Sequence, residues 1–281
     1  MRLEPLRPAF GLELHDLDPA HASALEAADL PSLLARHGVL LLRDRPMTPE
    51  AQIAFSRNFG ALESHAAYPA ALRHPQHDEL LVVKRYQVEG RALRFGGQWH
   101  SDLSYTLAPS KASVLHALVV PPSGGDTLFA DLAGAYAALP DAARERLEGL
   151  WVVHDLANGR QYGDSPPDAI AAMRAKSPPV EQPLVRRHPE TGRPSLFISE
   201  WMTRRVVGMS EADSRALLEP LLAHTQDPAF LYRHRWRVGD TLIWDNRSTN
   251  HLAMGDYEGE RVLHRCSLLG EPCGRPARPA A

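Results

Sequence analysis

Apolar positions along the chain follow two periods. From Leu30 to Leu34 leucines recur at helical spacing, and Val39-Leu40-Leu41-Leu42 then run together, which predicts a helix feeding a short buried strand. Thr48-Pro49-Glu50 predicts a second helix start, with Thr as N-cap and Pro in the first turn, and Gly60 closes it. Asp131 to Leu150 reads as a helix that breaks and restarts near Pro140. Ser210 to His224 reads as another, opened by Ser210 and Asp213 and kinked at Pro220. Short apolar runs fill the rest: Leu80–Lys84, Ser113–Val120, Trp151–Leu156, Leu184–Arg187, Ser195–Ser199, Thr241–Trp244 and Val262–Leu269. The segment His188–Pro194 between two of them is a turn. Many short strands with few helices do not fit an alternating βαβ layout. A β-sandwich or jelly-roll core with helices outside it fits better.

The chain has 281 residues, 44% of them hydrophobic, and no repeat, low-complexity tract or Ser/Gly linker divides it. The expectation is one domain over residues 1–281, with the Pro/Ala/Arg-rich stretch 272–281 as a frayed tail. A net charge of −3 provides no basic field to attract nucleic acid or an anionic membrane. Arg233, Arg235 and Arg237 alternate, as residues on one solvated face of a strand would. Cys266 and Cys273 are too few for a disulfide framework and lack metal-site spacing. Met1–Asp18 contains no apolar signal-like region, and no stretch reaches membrane-spanning length. A cytoplasmic protein without a membrane partner is therefore expected.

Chemistry enters with His100 and Asp102, in Gly97-Gln98-Trp99-His100-Ser101-Asp102. On a strand, residues i and i+2 share a face, so both side chains would point at one ion. The spacing alone means little, because His77/Glu79 and His188/Glu190 repeat it in a chain with 14 histidines. The surroundings add weight. Gly96-Gly97 gives a permissive backbone, and His251 follows Trp244-Asp245-Asn246-Arg247 at the end of an apolar strand. Two histidines and a carboxylate can hold one face of Fe(II), leaving positions for a cosubstrate and O2. They can also hold zinc for hydrolysis. Arg261 and Arg265 share strand parity, so both guanidiniums would aim the same way. On a buried strand that is costly unless anions meet them, and a guanidinium fork suits a carboxylate or sulfonate. As surface residues flanking an apolar run, the two arginines would carry no such meaning.

In consistent order, Trp99-His100-Ser101-Asp102, Gly124-Gly125-Asp126-Thr127, Trp244-Asp245-Asn246-Arg247 leading to His251, and Arg261-x-x-x-Arg265 resemble the taurine dioxygenase and 2,4-D dioxygenase family. The resemblance implies a mainly β protein with peripheral helices around a double-stranded β-helix (jelly-roll) core. It implies an Fe(II)- and 2-oxoglutarate-dependent dioxygenase in which His100, Asp102 and His251 are the catalytic iron ligands. Arg261 and Thr127 would bind 2-oxoglutarate, and Arg265, His65 and Tyr68 would contact the substrate. O2 would be the other cosubstrate, with ascorbate supporting activity. The product would come from hydroxylation of a C–H bond in a small anionic sulfonate, sulfate or carboxylate, with release of succinate and CO2. Keeping Asp102 fits hydroxylation, since related halogenases lack that carboxylate. Gly96, Leu156 and Met202 depart from what taurine dioxygenase places around the substrate tail. Aryloxyalkanoates are therefore an alternative to taurine. A metal-holding β-helix that binds without turnover is the alternative from another class. A homo-oligomer would be ordinary for the family.

Overall fold

The computed structural model describes residues 1–19, 24–84, 86–88, 91–93, 96–163 and 165–277. Its largest sheet has seven strands, in the order Arg2–Arg7, Phe10–His15, Val39–Leu42, Thr241–Asp245, Ala112–Val119, Val262–Ser267 and Leu81–Val83. All neighbours are antiparallel except Phe10–His15 and Val39–Leu42, which run parallel. The period-two alternation of strands divides the apolar side chains between two faces. Leu40, Leu42, Val114, Ile243 and Cys266 turn to one face, where the helices Ala24–His37 and Pro49–Ser56 cover them with Leu30, Leu34, Ile53 and Phe55. The expected helix starts hold in detail, since Thr48 Oγ1 accepts the Ala51 N–H and Ser210 Oγ accepts the Asp213 N–H.

Leu41, Leu115, Leu242, Trp244 and Leu263 turn to the other face. There they meet a three-stranded antiparallel sheet made of Leu231–His234, Thr127–Asp131 and Thr249–Ala253. Phe129 from its central strand sits 5.5 Å from the Trp244 ring across the interface. Arg265 shares parity with Leu263 and so leans into the space between the sheets, as His251 does from the opposite side beside Phe129.

A further antiparallel sheet joins Thr203–Val206, Trp151–His154, Val180–Pro183 and Arg275–Pro276. With the helix Glu211–Thr225 it encloses a separate apolar cluster around Val152, Leu196 and Leu218. Within the stretch expected to fray, Arg275–Pro276 pair with Val180–Glu181, and residues 278–281 lie outside the described residues. Arg233, Arg235 and Arg237 are exposed, as their alternation predicts. No helix among the described residues is long and apolar enough to cross a membrane.

One helix and several strands escaped the reading of the sequence, among them Arg2–Arg7, Phe10–His15 and Thr127–Asp131 as well as four with polar residues in the run. Thr203–Val206, Leu231–His234 and Thr249–Ala253 carry Arg or His within the run, and Val180–Pro183 carries Glu and Gln. Each of these four buries polar side chains, so hydropathy conceals them. The helix Pro167–Lys176 buries no residue and therefore shows no apolar stripe.

Candidate active site

His100, Asp102 and His251 come together between the sheets, and their ligand atoms lie within 4.8 Å of one another. The route differs from the one the spacing implied. His100 is not in a regular strand; its backbone exchanges two hydrogen bonds with His251, at 3.1 and 2.8 Å, as an isolated bridge. Asp102 begins a turn, and Leu103 follows at φ 55°, so the chain swings the carboxylate back towards the imidazoles. The other pairs with the same spacing go elsewhere. His77 contacts Glu50 at 3.0 Å, and His188 contacts Asp245 at 3.0 Å within a buried network with Arg247.

His100 Nδ1 lies 2.8 Å from the Gln98 carbonyl, which can only accept, so Nδ1 carries the proton and Nε2 keeps its lone pair. That Nε2 stands 3.8 Å from Asp102 Oδ1, and His251 Nε2 stands 3.9 Å from the same oxygen. Both gaps exceed a hydrogen bond yet are under twice a metal–nitrogen bond of about 2.1 Å. Among the described residues no hydrogen bond reaches either Nε2, so the donor set fits one transition-metal ion. Burial, with the neighbouring His100, lowers His251 to about 3, and burial also lowers His100, so both rings are neutral. Burial alone would raise the Asp102 carboxyl. Arg265, the flanking imidazoles and the Ser113 hydroxyl outweigh it and hold the group well below the usual carboxylate range.

A cavity of about 280 Å³ adjoins this cluster. Thr127, Arg261, Arg265 and Tyr68 line it, as the sequence suggested, together with Leu156 and Met202. His65 does not. It is fully buried, with Nδ1 3.2 Å from the Asp78 carbonyl and its ring edge against Tyr68 at 5.3 Å. Burial, reinforced by Arg265, pushes its imidazole down to about 4. Gly96, at φ 76°, also lines the cavity, and a Cβ there would come within 3.3 Å of the His100 ring.

The two arginines differ. Arg261 is buried, donates Nε to the Gly125 carbonyl at 3.1 Å, and has no carboxylate within ion-pair distance among the described residues. Trp236 Nε1 donates to Thr127 Oγ1 at 2.9 Å, which leaves the threonine proton free to donate in turn. Arg265 donates Nη1 to Asp102 Oδ1 at 3.1 Å, while its buried Nε finds no partner among the described residues. Among the described residues Asp102 is the only carboxylate lining the cavity; Val83, Leu103, Leu115, Leu156 and Met202 give it an apolar character.

Several lining residues carried no signal in the sequence. Trp201 lies tilted beside His100, with ring centroids 5.1 Å apart, and donates Nε1 to the Leu156 carbonyl. Tyr105 and Tyr162 add two more aromatic walls. All three come from turns or short helical segments, where no period marks an inward face.

The chain matches the family model described as "Taurine catabolism dioxygenase TauD, TfdA family" over residues 2–267. It is 38% identical to an alpha-ketoglutarate-dependent 2,4-dichlorophenoxyacetate dioxygenase of Cupriavidus pinatubonensis, over 95% of this chain and 97% of that one. It is 34% identical to an alpha-ketoglutarate-dependent sulfate ester dioxygenase of Pseudomonas putida, over 96% of this chain and 89% of that one. The crystal structure of a taurine dioxygenase from Burkholderia xenovorans superposes with a TM-score of 0.82 at 32% identity, covering 99% of this chain and 95% of that one.

Proposed function

The chain belongs to the TauD, TfdA family and is an alpha-ketoglutarate (2-oxoglutarate)-dependent dioxygenase, and we propose that it acts on a small organic anion with an apolar tail. In this reading the facing sheets form the double-stranded β-helix core, and His100, Asp102 and His251 hold Fe(II). When bound, the iron supplies the activation of O2 that couples conversion of 2-oxoglutarate to succinate and CO2 with hydroxylation of the substrate.

The protein's own part is binding and orientation. Arg261 takes the distal carboxylate of 2-oxoglutarate, because it is a buried guanidinium without an internal carboxylate, and the Thr127 hydroxyl adds a donor beside it. Arg265 takes the substrate's anionic group, with its unpartnered Nε and the freedom to leave Asp102. Fixing that end decides which C–H bond faces the metal. Tyr68 contacts the substrate directly, and His65 supports it from behind. The apolar walls exclude water from the reacting carbon.

The observation that carries the tail assignment is the cavity lining. Among the described residues an ammonium group such as that of taurine would find no carboxylate there beyond Asp102, whose oxygens face Ser113, Arg265 and the imidazoles. Aryloxyalkanoates and alkyl sulfates match the lining better, in line with the substrates named for the relatives. The test is succinate release with Fe(II), ascorbate and 2-oxoglutarate across taurine, alkylsulfonates, alkyl sulfates and aryloxyalkanoates. Turnover of aryloxyalkanoates or alkyl sulfates well above taurine supports the proposal, and taurine as the preferred substrate refutes it.

A further inference from the structure

Asp102 has two carboxylate oxygens, and the protein treats them differently. Oδ2 accepts a short hydrogen bond, 2.6 Å, from the Ser113 hydroxyl on the strand Ala112–Val119. Oδ1 faces both imidazoles and Arg265. Ser113 is fully buried, and its proton has a defined direction because Asn246 Nδ2 donates to Ser113 Oγ at 3.1 Å. A hydroxyl that already accepts there turns its own proton to Asp102.

The orientation of the Asn246 amide is itself fixed. Its Oδ1 receives the Asp102 backbone N–H at 3.1 Å and the Trp244 Nε1–H at 3.0 Å. Both groups are obligate donors, so the atom between them is the oxygen and the amide nitrogen must face Ser113. The Asn246 carbonyl also accepts the Ser101 hydroxyl at 2.6 Å, tying down the residue between His100 and Asp102. Asn246 thus grips Asp102 twice, at its backbone directly and at its carboxylate through Ser113.

We propose that Ser113 and Asn246 are positioning residues that commit Asp102 Oδ2 to the protein and leave Oδ1 alone to face the metal. This rests on Asp102 being a metal ligand. Its consequence is ligation by a single carboxylate oxygen, which keeps a further position at the ion for 2-oxoglutarate or O2. Losing either hydrogen bond frees Oδ2 to turn towards the ion and loosens the carboxylate.

Co(II) titration of the purified protein tests this, with dissociation constant and visible absorption spectrum as readouts and melting of the EDTA-treated protein as the folding control. Ser113→Ala is expected to raise the Co(II) dissociation constant by about 10- to 100-fold and to alter the Co(II) spectrum. Asn246→Asp, which keeps the acceptor oxygen but loses the donor to Ser113, is expected to shift both readouts in the same direction. Should Ser113→Ala fail to fold, Asn246→Asp, which leaves Ser113 in place, carries the same titration and decides. Wild-type affinity and spectrum in the Ser113 and Asn246 variants, with Asp102→Ala weakened, would overturn this inference alone. Wild-type Co(II) affinity in Asp102→Ala would instead overturn the ligand assignment beneath it.

Discussion

Arg265 Nη1 and Asp102 Oδ1 are 3.1 Å apart, so the guanidinium proposed to bind substrate touches the very oxygen proposed to bind metal. The contact balances the buried carboxylate, and a divalent ion beside Oδ1 would take over that task and release Arg265 for an incoming anion. Arg265→Ala is expected to raise the substrate KM by about 10- to 100-fold, the worth of a charge-assisted hydrogen bond. Removing a positive charge next to the ion should leave Co(II) affinity equal or tighter. Unchanged substrate KM in steady-state succinate assays would remove Arg265 from its role.

Arg261 and Thr127 should separate by magnitude. Arg261→Ala removes a buried cation and is expected to raise the 2-oxoglutarate KM by about 10-fold or more. Thr127→Val removes one neutral donor and also costs Trp236 Nε1 its acceptor, for a rise of a few-fold and a modest loss of stability. The substrate KM, measured at saturating 2-oxoglutarate, should stay near wild type in both. A rise confined to the substrate would reverse the two arginine assignments.

Gly96 combines positive φ with proximity to a ligand ring, and each makes a side chain there unwelcome. Gly96→Ala is expected to cost about 1 kcal/mol or more from the backbone conformation alone. The added Cβ, 3.3 Å from His100 Cε1, must also displace the ring or its own loop. Thermal denaturation and Co(II) titration should therefore both weaken, and a wild-type Co(II) dissociation constant would show that the ring does not feel the change.

Acid should destabilise the fold before it reaches the usual carboxylate range. Burial lowers His116, His154 and His264 to about 4 from an ordinary 6.5. Between those values the unfolded chain binds protons that the folded chain does not, so stability is complete above pH 6.5 and falls as pH drops towards 4. His154, held by the Ser104 carbonyl and Thr203 Oγ1 and not part of the His100–Asp102–His251 cluster, can be replaced on its own to test this. His154→Gln should be less stable at neutral pH but show a flatter decline of melting temperature between pH 7 and 4.5. Parallel declines in the two proteins would count against the buried neutral imidazole.

The sequence exposed residues whose chemistry is unusual for their place and hid those that act through geometry. His100, Asp102, His251, Arg261 and Arg265 stood out because charged or ligating groups beside apolar runs need partners, and their order matched a family pattern. Arg261 and Arg265 line one cavity, although Arg261 precedes the strand Val262–Ser267 and a register shift lies between Val262 and Leu263, and for His100 and Asp102 a bridge and a turn do the work of a strand. Ser113 looked like one small residue in the apolar run Ala112–Val119, and only its 2.6 Å contact with Asp102 distinguishes it. The family pattern aligns His65 with a substrate contact, yet the chain folds it behind Tyr68 and outside the cavity lining. Trp201 and Tyr105 were invisible because turns have no periodicity to read.

The bridge between His100 and His251 sets an order of events during biosynthesis. A ribosome finishes His100 and Asp102 long before His251 emerges, and the strand Thr249–Ala253 must pair with Thr127–Asp131 before its imidazole reaches the others. The nascent chain therefore cannot be nucleated around its metal in the way a zinc finger is. On the proposed ligand set, metal loading follows the closing of the strand Thr249–Ala253 onto the sheet, and a chain cut short before residue 249 would keep only two of the three proposed ligands.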